Sequence, residues 1–285
     1  MPLLGVTPRA LPGGHADEGT TMTESQGRPS VLTDVDGDVW RITLDRPETG
    51  NAIDPAIAAA LAAALAARPE QTRAVLLLAN GPRFCVGGDV RSFADADDPG
   101  AFVGQLAHDW HAVIRTLLHC RVPVVAGVQG AVAGAGIGLI GSCDLVVCAR
   151  TTKIRPAYGT LGFSPDGGTS WALARALGAP RALDLMLTNG SLTAAEAHLT
   201  GLVARLVEDE DLRAPAVAVA HEIAAGPVRA MVRTRALVRR AATRTLEEQL
   251  DDEAQLITDS AGDPEGREGV RAFVEKRAPD FRSAR

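Results

Sequence analysis

Two short stretches have residue types and spacing suited to holding negative charge: Val86-Gly87-Gly88-Asp89 and Gly134-Ala135-Gly136. Each follows an apolar run that reads as a buried strand, Ala74–Ala79 for the first and residues 122–126 for the second. Each also opens a helical segment. Glycine lets the backbone approach a ligand closely, and N–H groups at a helix start have no partner of their own. One N–H from each stretch, aimed at a single oxygen, would form an oxyanion hole for a carbonyl. On spacing alone the alternative is two unrelated tight turns. A dinucleotide-phosphate turn fits poorly, because no acidic ribose partner closes a βαβ unit after Gly134, Gly136 and Gly138.

The elements that must position these turns can be read in order. Val31–Asp36 and Val39–Leu44 alternate around Asp36-Gly37-Asp38 and predict a hairpin. Asp54 followed by Pro55 predicts a capped Ala/Leu helix over residues 54–67. Asp89 caps a short helix from Val90, residues 95–100 read as a mobile acidic turn, and helical spacing runs over 102–118. Leu145–Ala149 is a strand, and 151–168 is irregular, with Pro156, Gly159, Gly162, Pro165, Gly167 and Gly168. Helices at Thr169–Leu177, 180–187 and 193–200 lead to a last strand over 202–207. Beyond it the pattern is wholly helical, over 212–225, 228–242, 246–260 and 266–277. That change predicts a mixed α/β core over residues 30–210 and an all-helical region over 211–285. Residues 1–29, rich in Gly, Pro and Thr without periodicity, read as a disordered tail in which Met22 offers another start.

Composition narrows the function classes. The chain has 285 residues, 46% hydrophobic and only 4% aromatic, so the core must be built mainly of Ala, Val and Leu. A net charge of −6 argues against a general nucleic-acid or membrane-surface binder. No apolar run reaches the roughly 20 residues of a membrane span, and no secretory signal is evident, so a cytoplasmic location is expected. Cys85, Cys120, Cys143 and Cys148 lack metal-ligand or paired spacing and read as buried thiols. His108 and His111 share a helix face but lack a third ligand, so no metal site is expected.

Several separated motifs together resemble the crotonase, or enoyl-CoA hydratase/isomerase, superfamily. They are Asp45-Arg46-Pro47 with Asn51-Ala52, Phe84-Cys85-Val86-Gly87-Gly88-Asp89, Gly130 with Gly134 and Gly136, and Cys143-Asp144-Leu145. The segments from Leu187-Thr188 to Val203 and from Arg267 to Arg277 fit as well, so the resemblance covers about residues 31–281. It implies an α/β fold, a crotonase-type ββα superhelix core with a C-terminal all-helical oligomerisation region, assembled as a homotrimer or dimer of trimers. It also implies an acyl-CoA thioester substrate, with coenzyme A entering as part of that substrate and no separate cofactor. The oxyanion donors fall on the N–H groups of Gly88 and Ala135, with Val86, Gly87, Asp89 and Gly134 around them. Arg46 and Lys276 are candidate contacts for the phosphates of coenzyme A.

The chain departs from the hydratase pattern at both acid/base positions. One glutamate position is Gly138 and the other is Tyr158, a poor base at neutral pH. Asp166, in Phe163-Ser164-Pro165-Asp166-Gly167-Gly168-Thr169, is the carboxylate that relatives with a loop acid would use. The expectation is an enoyl-CoA isomerase in which Asp166 moves a proton through an enolate. The alternatives are a hydratase with a non-standard acid or base, aryl-CoA dehalogenase-type attack by Asp166, and acyl-CoA binding without turnover. Tyr158 is a candidate hydrogen-bond donor to substrate.

Overall fold

The computed structural model describes residues 28–284. The tail expected over residues 1–29 therefore lies outside the described residues as far as residue 27. Arg28 is in place, with its Nε donating to Asp45 Oδ2 at 2.9 Å.

The hairpin forms as its alternation predicts: β1 (Val31–Asp36) and β2 (Val39–Leu44) pair antiparallel, with Asp36 opposite Val39 across the turn. Capping by the Asp54 carboxylate on Ile57 N, with Pro55 in the first turn, starts α1 (Pro55–Ala66). β3 (Ala74–Ala79) then pairs parallel to β2. After α2 (Val90–Ala94) and α3 (Pro99–Leu118) come β4 (Val124–Val128), β5 (Ala131–Ala133), α4 (Ala135–Ser142) and β6 (Leu145–Ala149). β7 (Lys153–Arg155), α5 (Tyr158–Leu161), α6 (Thr169–Leu177), α7 (Ala179–Leu187), β8 (Leu192–Thr193), α8 (Ala194–Leu199) and β9 (Arg205–Val207) complete the mixed part. The six-stranded sheet has the order β1-β2-β3-β4-β6-β9, parallel from β2 onward, and a second sheet has the order β5-β7-β8.

All six residues of β3 are buried, because both faces of the large sheet are covered. Val75, Leu77 and Ala79 join a core with residues of α1, α3 and α4. Ala74, Leu76 and Leu78 face the other way, against Leu212, Ala216, Val219, Ala220 and Ile223. Most of those partners belong to α9 (Arg213–Ala225), which packs directly on the sheet. Period-2 alternation in an apolar run thus fills two layers at once. Each large side chain so buried contributes about 1.5–3 kcal/mol.

Beyond α9 lie α10 (Val228–Arg240), α11 (Leu246–Gly262) and α12 (Pro264–Val274). Charge ties them to the core. Arg235 and Arg239 both pair with Asp144, at 3.0 and 2.9 Å. Arg73, at the entry to β3, reaches Glu265 of α12 at 3.1 Å in a buried pair. Arg73 Nε also donates to the Ala224 carbonyl at 2.6 Å, so the pair is hydrogen-bonded as well as neutralised. Leu246, Leu250, Ile257, Val270, Phe273 and Val274 remain exposed on α11 and α12.

Three local expectations change. The segment 95–100 is not wholly a turn: Asp98 caps Ala101 N at 3.0 Å, so α3 starts at Pro99. β4 starts after Pro123, which has no N–H for a ladder, and Val124 N instead donates to Asp144 Oδ2 at 2.8 Å. The irregular stretch 151–168 contains β7 and α5, and β5, β7 and β8 are too short to register as periodic runs.

Candidate active site

The two glycine turns lie side by side because the backbone joins them. Cys85 bridges Val132 in parallel, and Ala133 N donates to the Cys85 carbonyl at 2.9 Å. Close approach then requires glycine. At Gly136 a Cβ would lie 2.6 Å from the Cys85 carbonyl oxygen. Gly87 has φ +88, and a Cβ there would lie 3.0 Å from the Ala133 oxygen and 3.2 Å from Gly134 Cα. On either side of Gly88 the backbone is engaged: Ile53 N donates to Gly87 O at 2.7 Å, and Asp89 N donates to Ile53 O at 2.8 Å. The N–H groups of Gly88 and Ala135 have no hydrogen-bond partner among the described residues. Ala135 is the first residue of α4, so the positive end of that helix dipole lies at its N–H. Cys85 beneath the turns is fully buried, and burial pushes its thiol up to about 12, which keeps it protonated and inert.

A third loop, between α5 and α6, carries Asp166. The Tyr158 hydroxyl donates to Asp166 Oδ1 at 2.7 Å. Burial first, then the neighbouring Asp166 charge, pushes the Tyr158 phenol well above its ordinary value. Tyr158 is therefore a neutral donor engaged by the carboxylate, at the wall of the cavity described below. The loop is tied to the second turn, since Thr169 Oγ1 donates to the Gly134 carbonyl at 2.9 Å. Thr169 N closes the loop on the Asp166 carbonyl at 3.0 Å. On the far side, Gly167 N donates to His111 Nε2 at 3.0 Å.

Gly138 has a structural reason of its own. A Cβ there would lie 1.7 Å from the Gly167 carbonyl oxygen. The loop that carries Asp166 fills the space into which a side chain at 138 would project.

These elements enclose a cavity of about 730 Å³. Val86, Gly87, Gly88, Gly134, Ala135, Tyr158 and Asp166 all line it. Its wall is otherwise largely apolar, with Phe93, Leu106, Trp110 and Phe163 among the lining. Phe93 and Phe163 stack with ring centroids 6.3 Å apart. Asp166 is the one carboxylate among its described lining residues.

Three expected site residues are not among that lining. The Asp89 carboxylate accepts from Arg91 N at 3.2 Å and caps α2. Arg46 is paired with Asp54, the N-cap of α1, so its guanidinium is engaged in bracing that helix. Lys276 is exposed just past α12 with φ +55. Conversely, His111 and Trp110 emerge here as neighbours of the Asp166 loop. The helical spacing of α3 holds the one available clue, since Trp110 lies on its buried face and His111 on the edge of that face. Among the described residues no three His, Cys, Asp or Glu side chains cluster as metal ligands would. No helix among them is long and apolar enough to cross a membrane.

A mixed α/β core with two apposed backbone turns beside an apolar cavity is the arrangement that the crotonase resemblance implies, and the comparisons agree. Residues 34–284 match the family described as Enoyl-CoA hydratase/isomerase. A relative from Escherichia coli, 1,2-epoxyphenylacetyl-CoA isomerase, is 34% identical over 255 residues, covering 88% of this chain and 97% of its own. A relative from Rhodobacter capsulatus named "Probable enoyl-CoA hydratase" is 34% identical over 241 residues, covering 84% and 93%. The crystal structure of an enoyl-CoA hydratase from Polaromonas sp. JS666 superposes with a TM-score of 0.83 at 33% identity, covering 87% of this chain and 98% of that one. The chain belongs to the enoyl-CoA hydratase/isomerase family.

Proposed function

We propose that the protein is an enoyl-CoA isomerase that shifts a double bond by proton transfer at Asp166. The observation that carries this reading is the single carboxylate lining a cavity that also contains two unpartnered backbone N–H groups. The thioester oxygen of a 3-enoyl-CoA accepts from Gly88 N–H and Ala135 N–H. Asp166 removes a proton from Cα, the electrons move into a dienolate whose oxygen the two donors hold, and Asp166 returns the proton to Cγ. The product is the 2-enoyl-CoA, and no atom is gained or lost. Polarised backbone donors fixed where charge develops supply the main stabilisation. One correctly placed acid/base group contributes about 10²–10⁴-fold more.

Addition of water by two carboxylates is disfavoured, since the described lining contains one, and the Gly167 carbonyl fills the space at Gly138. A second reading has a specific observation in its favour. Phe93, Trp110, Tyr158 and Phe163 make the wall aromatic, which suits an aryl-CoA attacked by the Asp166 carboxylate. Turnover of 3-enoyl, 2-enoyl and aryl thioesters by the wild type and Asp166→Asn tests both readings. The isomerase reading expects 3-enoyl turnover that falls by about 10³-fold or more in Asp166→Asn. Full turnover of the true substrate by that variant overturns both. Entry of oxygen-18 from labelled water into Asp166 during a single turnover selects the nucleophilic reading.

The exposed apolar side chains of α11 and α12 support a further proposal, a homotrimer or dimer of trimers. Sedimentation equilibrium checks it, and a monomer at micromolar concentration excludes it.

A further inference from the structure

Asp166 is followed by two glycines in left-handed conformation, Gly167 at φ +60 and Gly168 at φ +84. Glycine has wide freedom there, so the direction of the Asp166 side chain depends on what grips the residues after it. Two consecutive residues of α3 provide that grip. The indole edge of Trp110 packs on Gly167, where a Cβ would lie 3.1 Å from both Cδ1 and Nε1. The next residue, His111, accepts the Gly167 N–H at Nε2 at 3.0 Å. α3 is itself fixed against α1 and α4 by buried Leu106, Trp110, Val113, Ile114 and Leu117, so the grip comes from a rigid element. His111 is not among the residues that line the cavity.

We propose that His111 is a positioning residue for the reaction assigned to Asp166. Its neutral imidazole, protonated at Nδ1, holds Gly167 and so sets the Asp166 carboxylate against the acyl chain. The inference rests on that functional reading and adds a pH-sensitive element to it. An imidazolium carries hydrogen on both nitrogens and cannot accept a hydrogen bond. Protonation of His111 would therefore turn an acceptor into a donor facing the Gly167 N–H, and the loop would be released. The titratable groups near it are few. On α3 they are His108, Asp109 and Arg115; Asp109 accepts from Gln105 Nε2 at 2.9 Å. From the apposed loop they are Asp166 and Tyr158, already bonded to each other. α1 and α4 contain no ionisable side chain, and α2 contributes only Arg91.

The test compares His111→Phe and His111→Gln with the wild type. The phenyl ring keeps the bulk and removes the acceptor, whereas the glutamine amide oxygen restores an acceptor that does not titrate. His111→Phe is expected to lose about 10–100-fold in kcat with KM changed less than about threefold, the signature of a misplaced group rather than lost binding. His111→Gln should recover most of the rate. Its kcat should also lack any acidic limb that the wild type shows, because the amide acceptor does not take up a proton. Nitrogen-15 NMR of the imidazole in the unliganded protein gives a readout independent of activity. Nε2 should appear as the unprotonated, hydrogen-bonded nitrogen at neutral pH, and the Gly167 amide proton should shift as the ring titrates. A kcat for His111→Phe within twofold of wild type, with Asp166→Asn still inactive, overturns this inference alone. Full activity in Asp166→Asn overturns the functional reading instead, so the two failures are distinguishable.

Discussion

The two halves of the cavity are built from different materials. The backbone half, Val86–Asp89 against Gly134–Gly136, which we propose holds the oxyanion, is assembled by main-chain bonds and by glycines that permit contact at Cys85 O and Gly134 Cα. The carboxylate half, the loop around Asp166, is held by side chains: Tyr158 on Oδ1, Thr169 on the Gly134 carbonyl, and His111 on the Gly167 N–H. A backbone site tolerates changes of side chain and fails when an N–H is removed or a Cβ is added. A side-chain site fails when one partner is exchanged, by an amount that depends on that partner.

The sharpest way to break this contrast is Ala135→Pro. Proline is well tolerated at the first position of a helix, so α4 should persist while the donor is lost. The expected result is a drop of about 10²–10³-fold in kcat, the usual cost of one oxyanion donor. Ala135→Gly keeps the N–H and should stay within about threefold of wild type. If both variants behave alike, Ala135 N–H is not a donor to the reacting oxygen.

Gly138→Ala should produce the next largest effect, and it falls on the other half. Its new Cβ must displace the Gly167 carbonyl, which it would approach to 1.7 Å. The loop then moves, and with it Asp166. We expect about 10²-fold loss in kcat and about 1–3 kcal/mol of destabilisation from overpacking. A thermal melt beside steady-state kinetics separates the two. Unchanged activity would show that the loop is freer than its contacts imply. Tyr158→Phe is gentler, because it deletes the hydroxyl that donates to Asp166 Oδ1, together with its longer contacts to the Asp166 carbonyl and Thr169 Oγ1, and leaves the ring in place. The expected loss is about tenfold in kcat, in line with about 1.5–3 kcal/mol for a charge-assisted bond discounted for solvent at the half-buried site. An equal rise in KM with kcat unchanged would mean that Tyr158 serves binding instead.

The apposition of the two turns in the backbone half was legible in the sequence because glycine spacing records backbone geometry directly. Gly87 and Gly136 are there for contacts that a Cβ would prohibit. The main strands were legible from their apolar runs, whereas β5, β7 and β8 are held by pairing between distant residues and leave no periodic trace. The carboxylate half was only partly legible. Asp166 stood out once carboxylates were missing at Gly138 and Tyr158, but its bond to Tyr158 and the grip of His111 join residues 8 and 56 positions apart. Arg46 shows a related limit: its loop position is legible in the sequence, whereas its pairing with Asp54 is seen only in the fold. Asn51 shows the same limit in a benign form. Its side chain accepts from Arg46 N and donates to the carbonyls of Asn80 and Arg83, so that this family motif braces loops.

The smallest expected effect concerns whether acid inactivates the enzyme through the site or through the fold. Asp263 supplies the relevant marker, lying between α11 and α12 with Arg229 at 3.0 Å and Arg233 at 2.9 Å. Burial opposes its charge, but the hydrogen bonds from Arg233 and Glu265 N and the Arg229 charge prevail and hold its carboxyl below the ordinary value of 3.8. A carboxylate lowered on folding binds fewer protons than it does in the unfolded chain, so it stabilises at high pH. That contribution is fully present well above 3.8 and is lost only as pH falls through the lowered folded value. Between pH 7 and 5 the melting temperature should therefore be nearly flat with respect to this group, so a fall in kcat over that range with the fold intact belongs to the site. Below about pH 4 the wild type should lose a few degrees that Asp263→Asn lacks. If instead the melting temperature falls together with kcat between pH 7 and 5, the acidic limb reports unfolding, and the side-chain half of the site is no more pH-sensitive than the backbone half.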